Sequence, residues 1–123
     1  MVQRRLVVGV WIGSALLLSG CSKAVPPAPT PQEALALRPA DPRIASLYES
    51  ACKACHAVAG TGAPLVADHA AWDTRWKQGL PVLVDHVLQG YRGMPAGGQC
   101  LTCTPQDHQA LIRFMADQPE PTS

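Results

Sequence analysis

The five residues CKACH at 52–56 place two thiols and an imidazole within little more than one helical turn. Cys52 and Cys55 are three positions apart, so both sulfur atoms would project from the same side of a helix. From there each can bond to a vinyl carbon on the edge of one porphyrin, and His56 can coordinate the iron. The pattern CxxCH is typical of c-type haem attachment. The motif therefore predicts one covalently bound haem c with His56 as an iron ligand.

A second iron ligand is available in the glycine-rich segment 90–98. Its composition favours a loop over a helix or strand, so core packing does not explain Met94, whereas Met115 falls in the apolar stripe of a predicted helix. Pro95 restricts the backbone directly after Met94. We expect Met94 to be the second axial ligand. The alternatives are three histidines in or beside predicted helices, where a solvated ring is the commoner outcome: His69, His86 and His108.

The N-terminus is typical of an exported protein. The basic pair Arg4 and Arg5 precedes an apolar stretch at 6–18, which is shorter than the roughly 20 residues needed to span a bilayer but suits a secretory signal. The stretch ends in LSGC at 18–21, which resembles a bacterial lipoprotein box. The resemblance implies cleavage before Cys21, acylation of Cys21 and a periplasmic protein anchored to the membrane.

Two further points belong to this N-terminal prediction. By resemblance to the lipoprotein sorting pattern, Ser22 slightly favours the outer membrane. An uncleaved signal anchor, with Cys21 as a bystander, is the alternative.

The five cysteines of the chain can all be assigned. With Cys21 assigned to lipid and two cysteines to haem, Cys100 and Cys103 remain as a pair. Cysteines in an oxidising compartment are usually disulfide-bonded. We therefore predict a Cys100–Cys103 disulfide that stabilises a domain too small to depend on its hydrophobic core alone.

The charge balance excludes one class of partner. Without residues 1–20, which contain two arginines, ten basic residues become eight against nine acidic ones, a formal net charge of −1. A nucleic-acid-binding domain usually carries a basic patch or stripe. We therefore expect no nucleic-acid partner. Because two protein ligands would fill the haem iron, we also expect no small-molecule substrate.

The composition divides the chain into four parts. A signal peptide at 1–20 is followed by a proline-rich tether at 21–40, which begins with Cys21 and favours extended chain. A helical turn is possible within the tether, but it has no evident packing partner. One domain is predicted over 41–118, with a short tail at 119–123.

Helical patterns account for the domain. Apolar residues at helical spacing lead into the CxxCH motif after Asp41 and Pro42, which are typical of a helix start. Thr104 and Pro105 mark the start of the last helix, and shorter helices are predicted at 69–78 and 82–89. No long alternation of apolar and polar residues indicates a sheet. We predict an all-α domain of three to five short helices around one haem.

Taken together, these motifs resemble the class I c-type cytochromes, in particular the cytochrome c5 group. The shared order is CxxCH, Gly-Ala-Pro at 62–64, Ala-Trp at 71–72, Met-Pro at 94–95 and CxxC at 100–103. The resemblance implies the class I cytochrome c fold. It also implies that the Pro64 carbonyl accepts a hydrogen bond from His56. One departure is Ala67-Asp68, where the family pattern has Gly-Asp.

A haem iron with both axial positions filled would serve one-electron transfer rather than catalysis. His/Met ligation raises the reduction potential relative to ligation by two histidines and leaves no open site for a substrate. We therefore expect an electron carrier, not an enzyme, that docks transiently with a redox donor and a redox acceptor. Alternatives are a haem enzyme or gas sensor with an open axial site, and a small cytochrome subunit of a larger oxidoreductase complex.

Two readings of the cysteines compete with haem. A zinc module would use Cys52, Cys55, Cys100 and Cys103, but the two pairs are farther apart than in the usual zinc pattern. A thiol oxidoreductase would work through Cys100 and Cys103, but no βαβ pattern surrounds that pair.

Overall fold

The computed structural model describes residues 24–119. The predicted signal peptide at 1–20, Cys21 and most of the predicted tail lie outside the described residues. The helices are α1 Pro31–Ala36, α2 Pro42–Leu47, α3 Lys53–His56, α4 His69–Trp76, α5 Leu80–Gln89 and α6 Pro105–Met115. A π-helical turn, Tyr48–Cys52, joins α2 to α3, and a 3₁₀ turn, Ala96–Gln99, precedes the last helix.

The all-α prediction is confirmed. Within residues 24–119 there is no β-strand, and the only β-type pairing there is an isolated bridge between Tyr91 and Met94. Counting α2, the π turn and α3 as one continuous helix gives five helices in the described part of the chain. No helix within the same residues is long and apolar enough to cross a membrane.

The helix starts follow from their capping residues. The Asp41 carboxylate accepts hydrogen bonds from the backbone amides of Arg43 and Ile44, and Pro42 occupies the first turn of α2. At α6, Thr104 and Asp107 form a reciprocal capping box, with Pro105 in the first turn. These bonds satisfy amides that have no partner inside their own helix.

Helix α6 packs against the helix that leads into CKACH. Tyr48 is fully buried and contacts Phe114 edge to face, with ring centroids 4.9 Å apart. The Tyr48 hydroxyl has no hydrogen-bond partner among the described residues, and burial raises its pKa to about 12. The Arg43 guanidinium forms a bidentate ion pair with Asp107, whose side chain is only 7% exposed. Apolar packing and one charge pair thus hold these two helices together.

Two helix boundaries differ from the prediction. Helix α5 begins at Leu80 rather than at 82, because Pro81 fits in a first turn and does not stop the helix. Helix α4 ends at Trp76 rather than at 78.

The prediction that a turn in the 21–40 segment lacks a packing partner is wrong. Helix α1 begins with a capping box between Thr30 and Glu33. Its Ala34 is fully buried in the core cluster, and Leu37 packs against the same cluster. Alanine carries little apolar surface, so its burial was not readable from the sequence.

Candidate functional site

The three chemical groups of CKACH lie where the π turn meets α3. Cys52 ends the π turn and is half-buried, and burial raises the pKa of its thiol to about 11. Cys55 is exposed, and neither cysteine is in a disulfide. His56 ends α3 and is buried. The π turn adds a residue to the helix where the motif begins, as such turns often do at functional sites.

One hydrogen bond determines the state of the His56 ring. Its Nδ1 lies 2.9 Å from the carbonyl oxygen of Pro64. A carbonyl only accepts, so Nδ1 must donate and Nε2 keeps its lone pair. Burial, which is the largest effect, lowers the pKa of His56, and the Arg75 charge lowers it further, although the bond to Pro64 acts in the opposite direction. The ring is therefore neutral at neutral pH and able to coordinate a metal through Nε2.

The segment 61–66 is held against the site by its own hydrogen bonds. Thr61 donates to the Cys55 carbonyl at 2.8 Å, and the Val66 amide donates to the His56 carbonyl at 2.7 Å. Trp72 donates its indole N–H to the Leu65 carbonyl at 2.8 Å, and its ring lies 6.0 Å from the His56 ring, measured between centroids. The sequence indicated the Ala-Trp pair, but it did not indicate that Trp72 supports the loop that orients His56.

Ala67 occupies the place where the family pattern has glycine. Its φ is +58°, in the left-handed region that favours glycine. The Ala67 amide donates to the Met115 carbonyl at 2.8 Å, which ties this strained residue to the end of α6. The glycine-type backbone is thus retained although the glycine is not.

Met94 lies half-buried in a tight reversal that follows α5. The amide of Tyr91 donates to the Met94 carbonyl and the amide of Met94 donates to the Tyr91 carbonyl, both at 2.9 Å. Gly90 makes this reversal possible: its φ is +82°, and a Cβ there would lie 3.0 Å from the Ala96 amide nitrogen and 3.1 Å from the Met94 carbonyl oxygen. The 3₁₀ turn that follows packs against α5 and the π turn, so the methionine loop returns to the helix that carries Cys52. The prediction of a loop over 90–98 is correct except for this short turn.

The two remaining cysteines are bonded to each other. Cys100 and Cys103 form a disulfide with their Cα atoms 5.4 Å apart, directly before α6. Within residues 24–119, no group of three or more His, Cys, Asp or Glu side chains is placed to hold a metal ion. The zinc reading therefore lacks its ligand cluster.

Two of the three alternative histidines make other contacts, and the third is buried. His69 is hydrogen-bonded through both ring nitrogens, to Asp73 at 3.3 Å and to Asp117 at 3.1 Å. The His86 ring stacks on Tyr91 with centroids 4.0 Å apart. His108 is buried, contrary to the expectation of a solvated ring, because its side of α6 faces the core; burial lowers its pKa.

The donor set fits a covalently attached haem. Two unpaired thiols stand one turn apart, and the imidazole directly after them presents a neutral Nε2. Its second nitrogen is held by a backbone carbonyl, as is usual for metal-bound histidine. A thioether ligand is available from the Met94 loop.

Three comparisons with known proteins point to one family. The family described as cytochrome C oxidase, cbb3-type, subunit III matches residues 39–115. Cytochrome c-555 of Chlorobaculum tepidum is 32% identical over 118 residues, covering 93% of this chain and 96% of that protein. Cytochrome c5 of Azotobacter vinelandii is 40% identical over 67 residues, covering 53% of this chain and 81% of that protein.

A solved structure shares the fold. It is described as an electron transfer complex of nitrite reductase with cytochrome c, and the matched chain is 35% identical with a TM-score of 0.56. The match covers 63% of this chain and 94% of that one.

Proposed function

This chain belongs to the class I c-type cytochromes, which are electron carriers with covalently bound haem c, and from that premise we propose how its residues hold the haem and where the protein works. In the proposal, Cys52 and Cys55 form the thioether bonds and His56 and Met94 are the axial ligands. When bound, the haem iron supplies a one-electron couple between its ferrous and ferric states.

The hydrogen bond between His56 and Pro64 carries the proposal. It holds the imidazole in one tautomer and one orientation, with Nε2 available as a ligand, directly after the two thiols. This arrangement reduces the rearrangement that His56 would undergo when an electron arrives or leaves. A positioned, neutral imidazole is what a stable bond between histidine and iron requires.

Met94 is proposed as the second ligand on two observations. Its loop is constrained by the paired hydrogen bonds with Tyr91 and by the close packing at Gly90. Two of the three competing histidines are engaged elsewhere, with His69 between two carboxylates and His86 stacked on Tyr91. With both axial positions filled, the chain transfers electrons and leaves no open position for oxygen or another substrate.

Location and partners complete the proposal. The export signal and LSGC at 18–21 support a periplasmic protein acylated at Cys21 and held at a membrane, with the outer membrane favoured by Ser22. The partners are redox proteins that dock transiently, in line with the nitrite reductase complex of the structural relative.

A second candidate is a cytochrome subunit of a larger oxidoreductase. The description of the matched family, subunit III of a cbb3-type oxidase, favours it. The two candidates differ in the mass of the particle obtained after mild detergent extraction. A free carrier elutes from gel filtration as a small particle, whereas a subunit co-purifies with its complex.

Purification from membranes, haem staining of the denatured chain and redox titration test the function. We expect haem to remain on the denatured polypeptide and the titration to follow a one-electron curve. Carbon monoxide should bind slowly or not at all to the ferrous protein. Loss of haem on denaturation would contradict covalent attachment, and rapid carbon monoxide binding would instead support an enzyme or gas sensor with an open site.

A further inference from the structure

Residues 24–38 precede the stretch that the family match covers, yet they lie on the domain. We refer to them as the strap. Its helix α1 has only six residues, and a helix this short is not stable in water without tertiary contacts. The contact is Ala34, which is fully buried in the core cluster, with Leu37 packed beside it.

Other contacts extend along the strap on both sides of α1. After the helix, the Arg38 guanidinium pairs with Glu49 near the start of the π turn. Before the helix, Pro26 and Pro29 line a cleft with Ala67, His69 and Asp117. The strap therefore passes over the junction of α4 with the end of α6, where His69 links Asp73 to Asp117.

We propose that the strap is docked in the native protein and that it shortens the leash between the haem domain and the membrane. This inference rests on the proposed acylation of Cys21. If residues 21–40 were free, twenty extended residues before Asp41 would reach about 70 Å. With the strap docked from Ala24, only residues 21–23 remain before it, and they reach about 10 Å.

The docked strap also sets an orientation. Its first described residues, Ala24 to Pro26, lie beside His69, Asp73, Asp117 and Pro119. The chain toward Cys21 thus leaves the domain at the face formed by α4 and the end of α6, and this face is turned toward the anchor. Electron exchange is restricted to partners that reach the domain close to the membrane surface.

The matched pair Ala34→Glu and Leu35→Glu separates docking from a general effect of charge. Ala34 is buried, whereas its neighbour Leu35 is 47% exposed on the same helix. The full-length lipidated protein is incorporated into phosphatidylcholine vesicles that carry a headgroup fluorophore, and quenching of this fluorophore by the haem reports their separation. We expect a loss of quenching in Ala34→Glu, because the maximum reach rises from about 10 to about 70 Å, and wild-type quenching in Leu35→Glu.

A second measurement does not depend on the anchor. The measurement is amide hydrogen exchange in a soluble Cys21→Ser protein. The α1 amides should be protected in this background and also when Leu35→Glu is added. They should lose protection when Ala34→Glu is added. If Ala34→Glu disturbs the haem spectrum, a milder double variant, Thr30→Ala with Glu33→Ala, is used in its place. This double variant removes the capping box of α1. Unprotected α1 amides without the Ala34→Glu substitution, or equal quenching in all variants, would overturn the proposal that the strap is docked.

Failure of the anchor is visible separately. Wild-type protein recovered in the soluble fraction would contradict acylation of Cys21. The proposed limit on the distance between the haem domain and the membrane would then fail as well. The exchange measurement would in that case still report whether the strap docks, so the two failures are distinguishable.

Discussion

The Pro64 carbonyl oxygen lies 2.9 Å from Nδ1 of His56, and the Val66 amide returns a hydrogen bond to the His56 carbonyl. The segment 61–66 therefore forms hydrogen bonds with both the ring and the backbone of His56. The ring bond is made by a backbone atom, so it depends on where the loop runs more than on which side chain position 64 carries.

Replacing Pro64 by Ala should raise the reduction potential. The carbonyl remains, but the freed backbone weakens the bond to His56, which makes the imidazole a poorer donor and stabilises the ferric state less. We expect an upward shift of tens of millivolts, where ~59 mV corresponds to a tenfold change for one electron. Pro81→Ala in the exposed first turn of α5 is the matched control. Equal potentials in both variants would show that Pro64 does not tune the iron.

Replacing Met94 by Ala should open the second axial position. The ferrous variant is expected to bind carbon monoxide rapidly, unlike the wild type, as measured by flash photolysis. Met94→His should keep the site closed and lower the potential by on the order of 0.1–0.3 V, within the ~0.8 V range that axial ligands cover.

Met115 provides the control for this pair, because it is buried in α6. Met115→Leu should cost less than about 1.5 kcal/mol in the free energy of unfolding and leave the potential unchanged. A wild-type carbon monoxide rate in Met94→Ala would remove Met94 from the ligand set.

Gly90→Ala should loosen the methionine loop, whereas Gly93→Ala should not. A Cβ at position 90 meets the backbone of Met94 and Ala96, and its φ of +82° is strained for any other residue, while a Cβ at position 93 has nothing within 4 Å. We expect Gly90→Ala to cost about 1–3 kcal/mol and to weaken the absorbance band of methionine–iron coordination. Thermal unfolding and visible spectra of both variants test this. Identical behaviour of the two variants would contradict the close packing at Gly90.

The Cys100–Cys103 disulfide is expected to be structural. Replacing both cysteines by Ser should lower the free energy of unfolding by roughly 2 kcal/mol, the value expected for so short a loop, and leave the haem spectrum intact. Chemical reduction of the wild type should give a similar loss in denaturant unfolding. Thiol–disulfide exchange activity that disappears in the double variant would contradict a purely structural role.

Asp107 should make stability depend on acid pH. Its hydrogen bonds with Arg43, together with those from Thr104, hold the pKa of Asp107 well below its usual 3.8. Because the folded-state pKa is depressed, ionised Asp107 adds to the free energy of unfolding above its unfolded-state pKa. This stabilisation is lost as pH falls below about 5 and through the folded-state pKa. Asp107→Asn should therefore flatten the acid side of a urea-unfolding profile, whereas Asp85→Asn on the exposed side of α5 should leave the slope unchanged. Parallel profiles for Asp107→Asn and the wild type would refute the coupling.

Sequence predicted those parts of the fold that depend on near neighbours. The starts of α2 and α6 follow from Asp41 and Thr104, whose side chains bond to amides two or three residues away. Helix α5 was predicted two residues short, because Pro81 is compatible with a helix start and with a break. The burial of His108 was not predicted, because it depends on which elements cover that side of α6.

The sequence by itself determined the chemistry of this protein, since the two thiols and the imidazole of CKACH act within one turn of a single helix. Tertiary structure alone decided how that chemistry is supported. Trp72 holds the loop that orients His56, Ala67 keeps a glycine-type backbone through its bond to α6, and Ala34 packs the predicted tether against the core. Each of these contacts joins separate elements of the fold or involves a side chain too small to produce a hydrophobic pattern, so only packing of the whole chain reveals them.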